Sequence, residues 1–285
     1  MLSIKSAVVL SVIFCGHLFA QPEGFYLVEG DASPPVIDSN GCYVVKVGKS
    51  ATINWDSFSI NETETFRFEQ EDAESSVINF VTGESQSRIL GNLQSKGKVY
   101  LNHPNEIFIG PAGDVNAPNI FLVSEQGKLE VNGTLTATLS SGKGGKIHVL
   151  GKEVEIQGSA VIDASGAAGE GEVLIGGSFQ GKDRSIPHSE RTVVHPGAQI
   201  SADSLEDGNG GRVIIWSDEN TYFHGHVNAR GGKEGGDGGF VEVSGKEQLG
   251  FDGIVSTEAP KGQIGELLMD PYSVTINDGW SSYFS

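Results

Sequence analysis

The sequence predicts an all-β fold wound into a parallel β-helix, and three observations predict it. Glycines that open an apolar strand recur at Gly145 (GKIHV), Gly171 (GEVLI), Gly211 (GRVIIW), Gly239 (GFVEV) and Gly265 (GELLM), at intervals of 26, 40, 28 and 26 along the chain. A companion series lies about half a repeat ahead of each: Gly133 (GTLTAT), Gly158 (GSAVIDA), Gly197 (GAQISA), Gly225 (GHVNA) and Gly253 (GIVST). Runs such as VIIW and FVEV have no helical period, and they alternate so that one row of Val and Ile faces inward while Lys, Arg and Glu face out. A repeat of about 27 residues built from two strands marks a solenoid, whereas the blades of a propeller need ~40 to 50. Stacked coils pair each strand in parallel with its copy one coil away, which satisfies the backbone N–H and C=O groups. Corner glycines are expected to supply positive φ and close approach.

The elements follow in chain order. Residues 1–20, MLSIKSAVVLSVIFCGHLFA, combine one cation (Lys5), an apolar run and a small residue at Ala20, the layout of a secretory signal peptide. Residues 21–75 are less regular and are expected to cap the first coil, since an open parallel edge invites pairing with other chains. YVVKVG, SATINW, SSVINFVTG, GKVYLN and EIFIG read as strands that do not keep the later period. The coils then run through 131–278, and residues 279–285 form a C-terminal tail. The one long interval holds about 13 extra residues, which fall on GKDRSIPHSERTVV (181–194), a loop insertion. About ten coils at ~4.8 Å make a rod on the order of 50 Å.

Composition narrows the function. The 285 residues include 40 Gly and 10 Pro without a three-residue period, which fits many turns rather than collagen or a Pro-rich tract. A formal charge of −18 excludes a surface built to neutralise phosphates, so no nucleic-acid partner is expected. Cleavage after Ala20 would remove Cys15 and leave Cys42 alone, which allows no internal disulfide; Cys42 is read as a small core residue.

Chemistry-bearing residues are sparse. Asp163, Asp203, Asp237 and Asp252 fall near corners, in turn slots that Asp fills for its own reasons. The paired carboxylates of a carbohydrate-cleaving site do not stand out, and no catalytic residue is assigned. GGKEGGDGG (231–239) faintly resembles a calcium-binding nonapeptide but occurs once, and that motif works in tandem. The seven His lack zinc spacing and are read as surface residues. No metal or cofactor is expected.

Several linked motifs carry a resemblance. INWDSFSI (53–60), FRFEQ (66–70), SSVINFVTG (75–83), SRILGNL (87–93) and VYLNHPNEIFIG (99–110) follow in the order and spacing of the N-terminal secretion domain of filamentous haemagglutinin-like exoproteins. GGRVIIWSDENTYFHGHVNARGG, GGFVEVSGKEQLGFDG and LLMDPYSVTI resemble segments that follow that domain, so the resemblance covers about residues 36–278. It implies a right-handed β-helix, with the secretion domain and its cap at 21–130. It also implies export through the periplasm of a Gram-negative bacterium by the general secretory machinery. Passage through an Omp85-type outer-membrane transporter follows, whose periplasmic domains recognise the secretion domain. Such exoproteins end in the medium or on the cell surface and are commonly adhesins, haemolysins or contact-dependent toxins; the expected role here is adhesion, with host or bacterial surface glycans or receptors as further partners.

The family's Asn-Arg-Val-Thr-Gly maps onto Asn79, Phe80, Val81, Thr82 and Gly83, without the arginine. Its Asn-Pro-Asn-Gly turn maps onto His103, Pro104, Asn105 and Glu106, keeping the middle pair. The resemblance therefore makes Asn79, Thr82, Gly83, Pro104 and Asn105 the candidate transporter-recognition residues. The turn is expected to survive, since Pro104 fixes φ and Asn105 tolerates left-handed geometry, while Glu106 is less at home than Gly where φ is positive. Two other classes stay open, a secreted β-helical carbohydrate enzyme and a purely structural surface protein. For the fold, the interval from Gly211 to Gly239 places Val213 over Val241 and Ile215 over Val243 on the inward face, with Glu242 exposed.

Overall fold

The computed structural model describes residues 21–139 and 141–276. The expected signal peptide (1–20) and tail (279–285) lie outside the described residues.

The described residues wind into a parallel β-helix of nine turns, one fewer than the repeat suggested. One inward column shows it: Ala51, Val77, Val99, Ile120, Ile147, Val173, Val213, Val241 and Leu267 pair in succession. The first eight are 0 to 3% exposed and Leu267, on the last turn, is 40% exposed. Burying each such side chain is worth roughly 1.5–3 kcal/mol relative to leaving it in water. Val213 faces Val241 and Ile215 faces Val243, as the interval required.

Turns two to eight each carry three strand segments rather than two. The first ladder holds that column, in strands such as Ser76–Val81, Lys98–His103, Arg212–Ser217 and Phe240–Gly245. The third ladder, with Thr134–Thr136, Val161–Asp163, Gln199–Ser201 and His226–Asn228, is the companion glycine series. Between them runs a second ladder through Ile107–Ile109, Arg191–Val194, Asn220–Phe223 and Gln248–Phe251. Arg191–Val194 thus belongs to the helix proper, and the insertion is the segment 176–190 ahead of it.

The cap is shorter than 21–75. Tyr26–Ala32 and Val36–Ile37 run antiparallel to Tyr43–Trp55, and parallel stacking begins within that same strand. Antiparallel strands over the first turn end its open parallel edge. Beneath them Trp55, Phe58, Phe66 and Phe68, all 0 to 1% exposed, pack mainly edge to face, with Phe25 of the cap 5.5 Å from Trp55. The turns from Val77 to Val99 and from Val99 to Ile120 are shorter than the later ones because the chain returns from the third ladder to the first through 96–97 and 117–118, against 229–239 in a later turn, not because the architecture differs.

Several expectations need correction. None of Gly145, Gly171, Gly211, Gly239 and Gly265 has a positive φ. Close backbone approach requires them instead: a Cβ on Gly145 would lie 1.9 Å from the Pro118 carbonyl oxygen and one on Gly171 1.9 Å from that of Ala164, while one on Gly239 would meet that of Gly211 at 2.1 Å and one on Gly265 that of Gly239 at 2.0 Å. Glu242 is not exposed. It is on the outward face, but 0% accessible, because the insertion folds back over it. His103 is fully buried and the five other described histidines are half-buried, so they are not free surface residues. Cys42 is half-buried rather than core.

The corner aspartates are each engaged locally. Asp163 accepts from the Ser165 N–H at 2.9 Å and Asp237 from the Gln263 N–H at 2.8 Å. Asp252 lies 3.8 Å from His224. Asp203 is buried and holds Arg230 through its backbone N–H (2.7 Å), Nε (3.1 Å) and Nη2 (2.6 Å). Among the described residues no group of three or more His, Cys, Asp or Glu is placed to hold a metal.

Candidate functional site

Turns two and three of the helix bring the two motif segments together at one corner, where the first ladder bends into the second. Lys98–His103 stacks on Ser76–Val81 with Val77 on Val99 and Asn79 on Leu101. The bends that follow, 82–86 and 103–106, therefore lie one above the other although a full turn of chain separates them.

His103 organises the corner. Its Nδ1 accepts the backbone N–H of Asn105 at 2.9 Å and of Glu106 at 3.0 Å, so the proton sits on Nε2, which donates to the Ser85 carbonyl at 2.8 Å. An asparagine at this position would offer its side-chain oxygen to the same two amides, the Asx-turn arrangement. The imidazole nitrogen supplies that acceptor here. Burial pushes the His103 pKa below its ordinary value, which favours the neutral ring that this bonding requires. Neither Asn105 nor Glu106 has a positive φ, so the expected left-handed turn is absent and Glu106 fits without strain.

The other residues tie the bends to each other and to the first turn. Asn105 Nδ2 donates to the Glu84 carbonyl at 3.1 Å, and the Asn105 carbonyl accepts the Ser124 hydroxyl. The Pro104 carbonyl accepts the Gln126 N–H at 2.9 Å, which links the corner to turn four. Thr82 donates to the Trp55 carbonyl through both its N–H (2.8 Å) and its hydroxyl (3.1 Å). A Cβ on Gly83 would lie 2.1 Å from the Asp56 carbonyl oxygen, so only glycine lets this bend close on turn one.

Asn79 stands apart. It is 0% exposed and occupies the inward row between Ile53 and Leu101. Its Oδ1 accepts the Trp55 indole N–H at 2.9 Å and its Nδ2 donates to the Tyr100 carbonyl at 2.9 Å. An amide here satisfies an indole N–H that would otherwise be buried without a partner. Asn79 therefore supports the corner from inside and presents nothing to a partner. Thr82, Gly83, Pro104 and Asn105 do meet at the surface, with Thr82, Glu84, Ser85 and Glu106 its exposed residues. Motif mapping did not single out Ser85 or Glu84, whose backbone carbonyls receive the His103 and Asn105 bonds; the short turn from Val77 to Val99 is the signal that would have placed them there.

The family model described as "TPS secretion domain" matches residues 38–255. A heme/hemopexin-binding protein of Haemophilus influenzae (strain ATCC 51907 / DSM 11121 / KW20 / Rd) is 26% identical over 227 residues, 78% of this chain and 22% of that protein. A second heme/hemopexin-binding protein of Haemophilus influenzae is 33% identical over 75 residues, 26% of this chain and 8% of that protein. The chain spans less than a quarter of the length of these curated relatives. Among solved structures, the HMW1 secretion domain from Haemophilus influenzae aligns over 90% of this chain and all of its own, at 20% identity and a TM-score of 0.36. A filamentous hemagglutinin secretion domain aligns over 87% of this chain and all of its own, at 14% identity and a TM-score of 0.39. The match to the family model covers most of the chain and includes both bends of the corner. The chain belongs to the TPS secretion domain family, the secretion domains of exoproteins exported by two-partner secretion.

Proposed function

We propose that the corner formed by 82–86 and 103–106 is the surface that the periplasmic domains of an Omp85-type outer-membrane transporter read, and that the protein reaches the cell surface or medium by that route. The general secretory machinery would deliver it to the periplasm first, guided by the signal peptide read in residues 1–20. In this reading the protein is a non-catalytic exoprotein, residues 21–130 are the portion read during export, and adhesion is the role of the exported rod.

One observation carries the proposal: two segments mapped independently onto the family's motifs stack as a single surface, cross-linked by His103 to Ser85 and by Asn105 to Glu84. Glu84 and Glu106 are exposed groups on which it can be tested while the Thr82 hydroxyl keeps its bond to turn one.

The experiment is co-expression of the full chain with its cognate barrel, comparing parent and a Glu84→Lys, Glu106→Lys variant. Surface substitutions of this kind change stability by roughly 0.5 kcal/mol or less each. The variant is expected to accumulate in the periplasm while the parent appears in the medium. Equal amounts of both in the medium would remove the corner as the recognition surface.

A further inference from the structure

In a solenoid each turn normally contacts only its neighbours, so stability is a sum of local terms and the ends fray independently. Side-chain hydrogen bonds among the described residues follow that rule, each reaching no farther than the adjacent turn, with two exceptions, and both involve Gln180. Its backbone N–H donates to Glu242 Oε2 at 3.1 Å across 62 residues, and its Nε2 donates to Asp270 Oδ2 at 2.8 Å across 90. Gln180 lies in the insertion 176–190, between the first and second ladders of turn six. Glu242 is on turn eight, and Asp270 follows the first-ladder strand of turn nine, Glu266–Leu268.

The insertion is seated by more than these two bonds. Its base is closed by the Ser189 N–H on the Gly176 carbonyl at 2.7 Å. Phe179 and Ile186 pack against Leu174 of turn six and Ile214 and Trp216 of turn seven, side chains that face outward and are nonetheless 0 to 6% exposed. The Phe179 ring stands 5.7 Å from that of Phe240 on turn eight and 4.9 Å from the Arg212 guanidinium on turn seven. One short segment thus touches four successive turns.

We propose that residues 176–190 are a strap that fastens turns six to nine into one cooperative unit, closing completely only when turn nine has stacked. The strap replaces the turn-by-turn fraying of a solenoid end by a single concerted opening. Its seating depends on Gln180, whose φ of +51° is unusual for a residue with a side chain. That backbone directs the N–H at Glu242 and the side-chain amide at Asp270. During folding outside the membrane the strap would remain open until four turns were in register, and its closure would then hold them.

Amide hydrogen exchange on the purified full-length exported protein, read turn by turn by mass spectrometry, tests this. In Phe179→Ala/Gln180→Ala the strap loses its ring contact with turn eight and its bond to turn nine, while every ladder hydrogen bond of those turns remains. Exchange at 240–245 and 266–268 is expected to accelerate about tenfold or more, with 76–81 and 98–103 unchanged, because local opening is set by the contacts that close it. Acceleration confined to turns six and seven would overturn the proposal, since it would mean the strap stabilises only what it adjoins. Should the double variant not fold, Gln180→Ala alone carries the test. Faster exchange at 266–268 then supports the strap, and unchanged exchange there overturns it.

Discussion

Replacing Val241 by Asp probes the inward column where the structure leaves no alternative. Val241 is 0% exposed, stacked between Val213 and Leu267, and packed inside a cluster of apolar side chains. Losing the buried Val side chain costs roughly 1.5–3 kcal/mol. The new carboxyl cannot stay ionised there. Holding it neutral at pH 7, about three units above an ordinary Asp pKa, costs about 4 kcal/mol, and the neutral group still lacks a hydrogen-bond partner, for a further ~1–3 kcal/mol. The total, on the order of 7–10 kcal/mol, rivals the stability of a whole domain. Denaturant titration followed by far-ultraviolet circular dichroism should therefore show the last turns unfolded or the midpoint sharply lowered at pH 7. The protonation share disappears near pH 4, so the gap to the parent should narrow by about 4 kcal/mol on acidification. Gln248→Asp, on an exposed strand position of the same turn, should change stability by less than about 0.5 kcal/mol. A Val241→Asp protein within about 0.5 kcal/mol of the parent, or a gap that does not narrow with acid, would refute the inward assignment of this column.

Two more outcomes follow from titrating groups. The Glu172 carboxyl accepts a bond from His148 at 3.2 Å and from Lys146 at 3.0 Å, and these hold its pKa down to about 2. Its stabilising effect is complete above about pH 4.5 and is lost as pH falls through about 2, so Glu172→Gln should cost on the order of 1–2 kcal/mol at pH 7 and only a small part of that near pH 2; a cost independent of pH would count against the pairing. The His103 pKa is depressed by burial, so the stability it contributes is full above about pH 6.5 and declines as pH falls below that value. His103→Asn keeps an acceptor for the two amides and should remove that acid sensitivity at a cost of ~1 kcal/mol, whereas His103→Leu should cost about 2 kcal/mol or more, measured by thermal unfolding across pH.

Much of the helix was legible because its first and third ladders announce themselves. Gly239 and its equivalents open a strand, two or more Val or Ile follow, and the turn length sets the period of the series. The second ladder escaped notice for a physical reason. It follows the first after a bend of only a few residues without an obligatory glycine, as between Ser217 and Asn220, and its inward positions accept Thr192 and Thr221, whose hydroxyl in Thr221 bonds the Ser244 carbonyl. Alternation alone does not identify such a strand. Glu242 was misplaced because its burial comes from a segment 62 residues earlier, and nothing in FVEV records that. The corner needed the motif resemblance to be noticed at all. Its construction then rests on the short turns that run from Val77 to Val99 and on to Ile120, which the longer period of the later coils conceals. His103 departs from the family's asparagine, yet its ring nitrogen accepts the two amide N–H groups at that point, and only the placed side chain reveals it.

The measurement that bears most directly on the central claim is export of the full chain with and without its cognate outer-membrane barrel, with the corner variant alongside. Parent protein is expected in the medium only when the barrel is present. Periplasmic retention is expected of the parent without the barrel and of the Glu84→Lys, Glu106→Lys protein even with it. Parent protein reaching the medium in the same amount whether or not the barrel is expressed would contradict the claim.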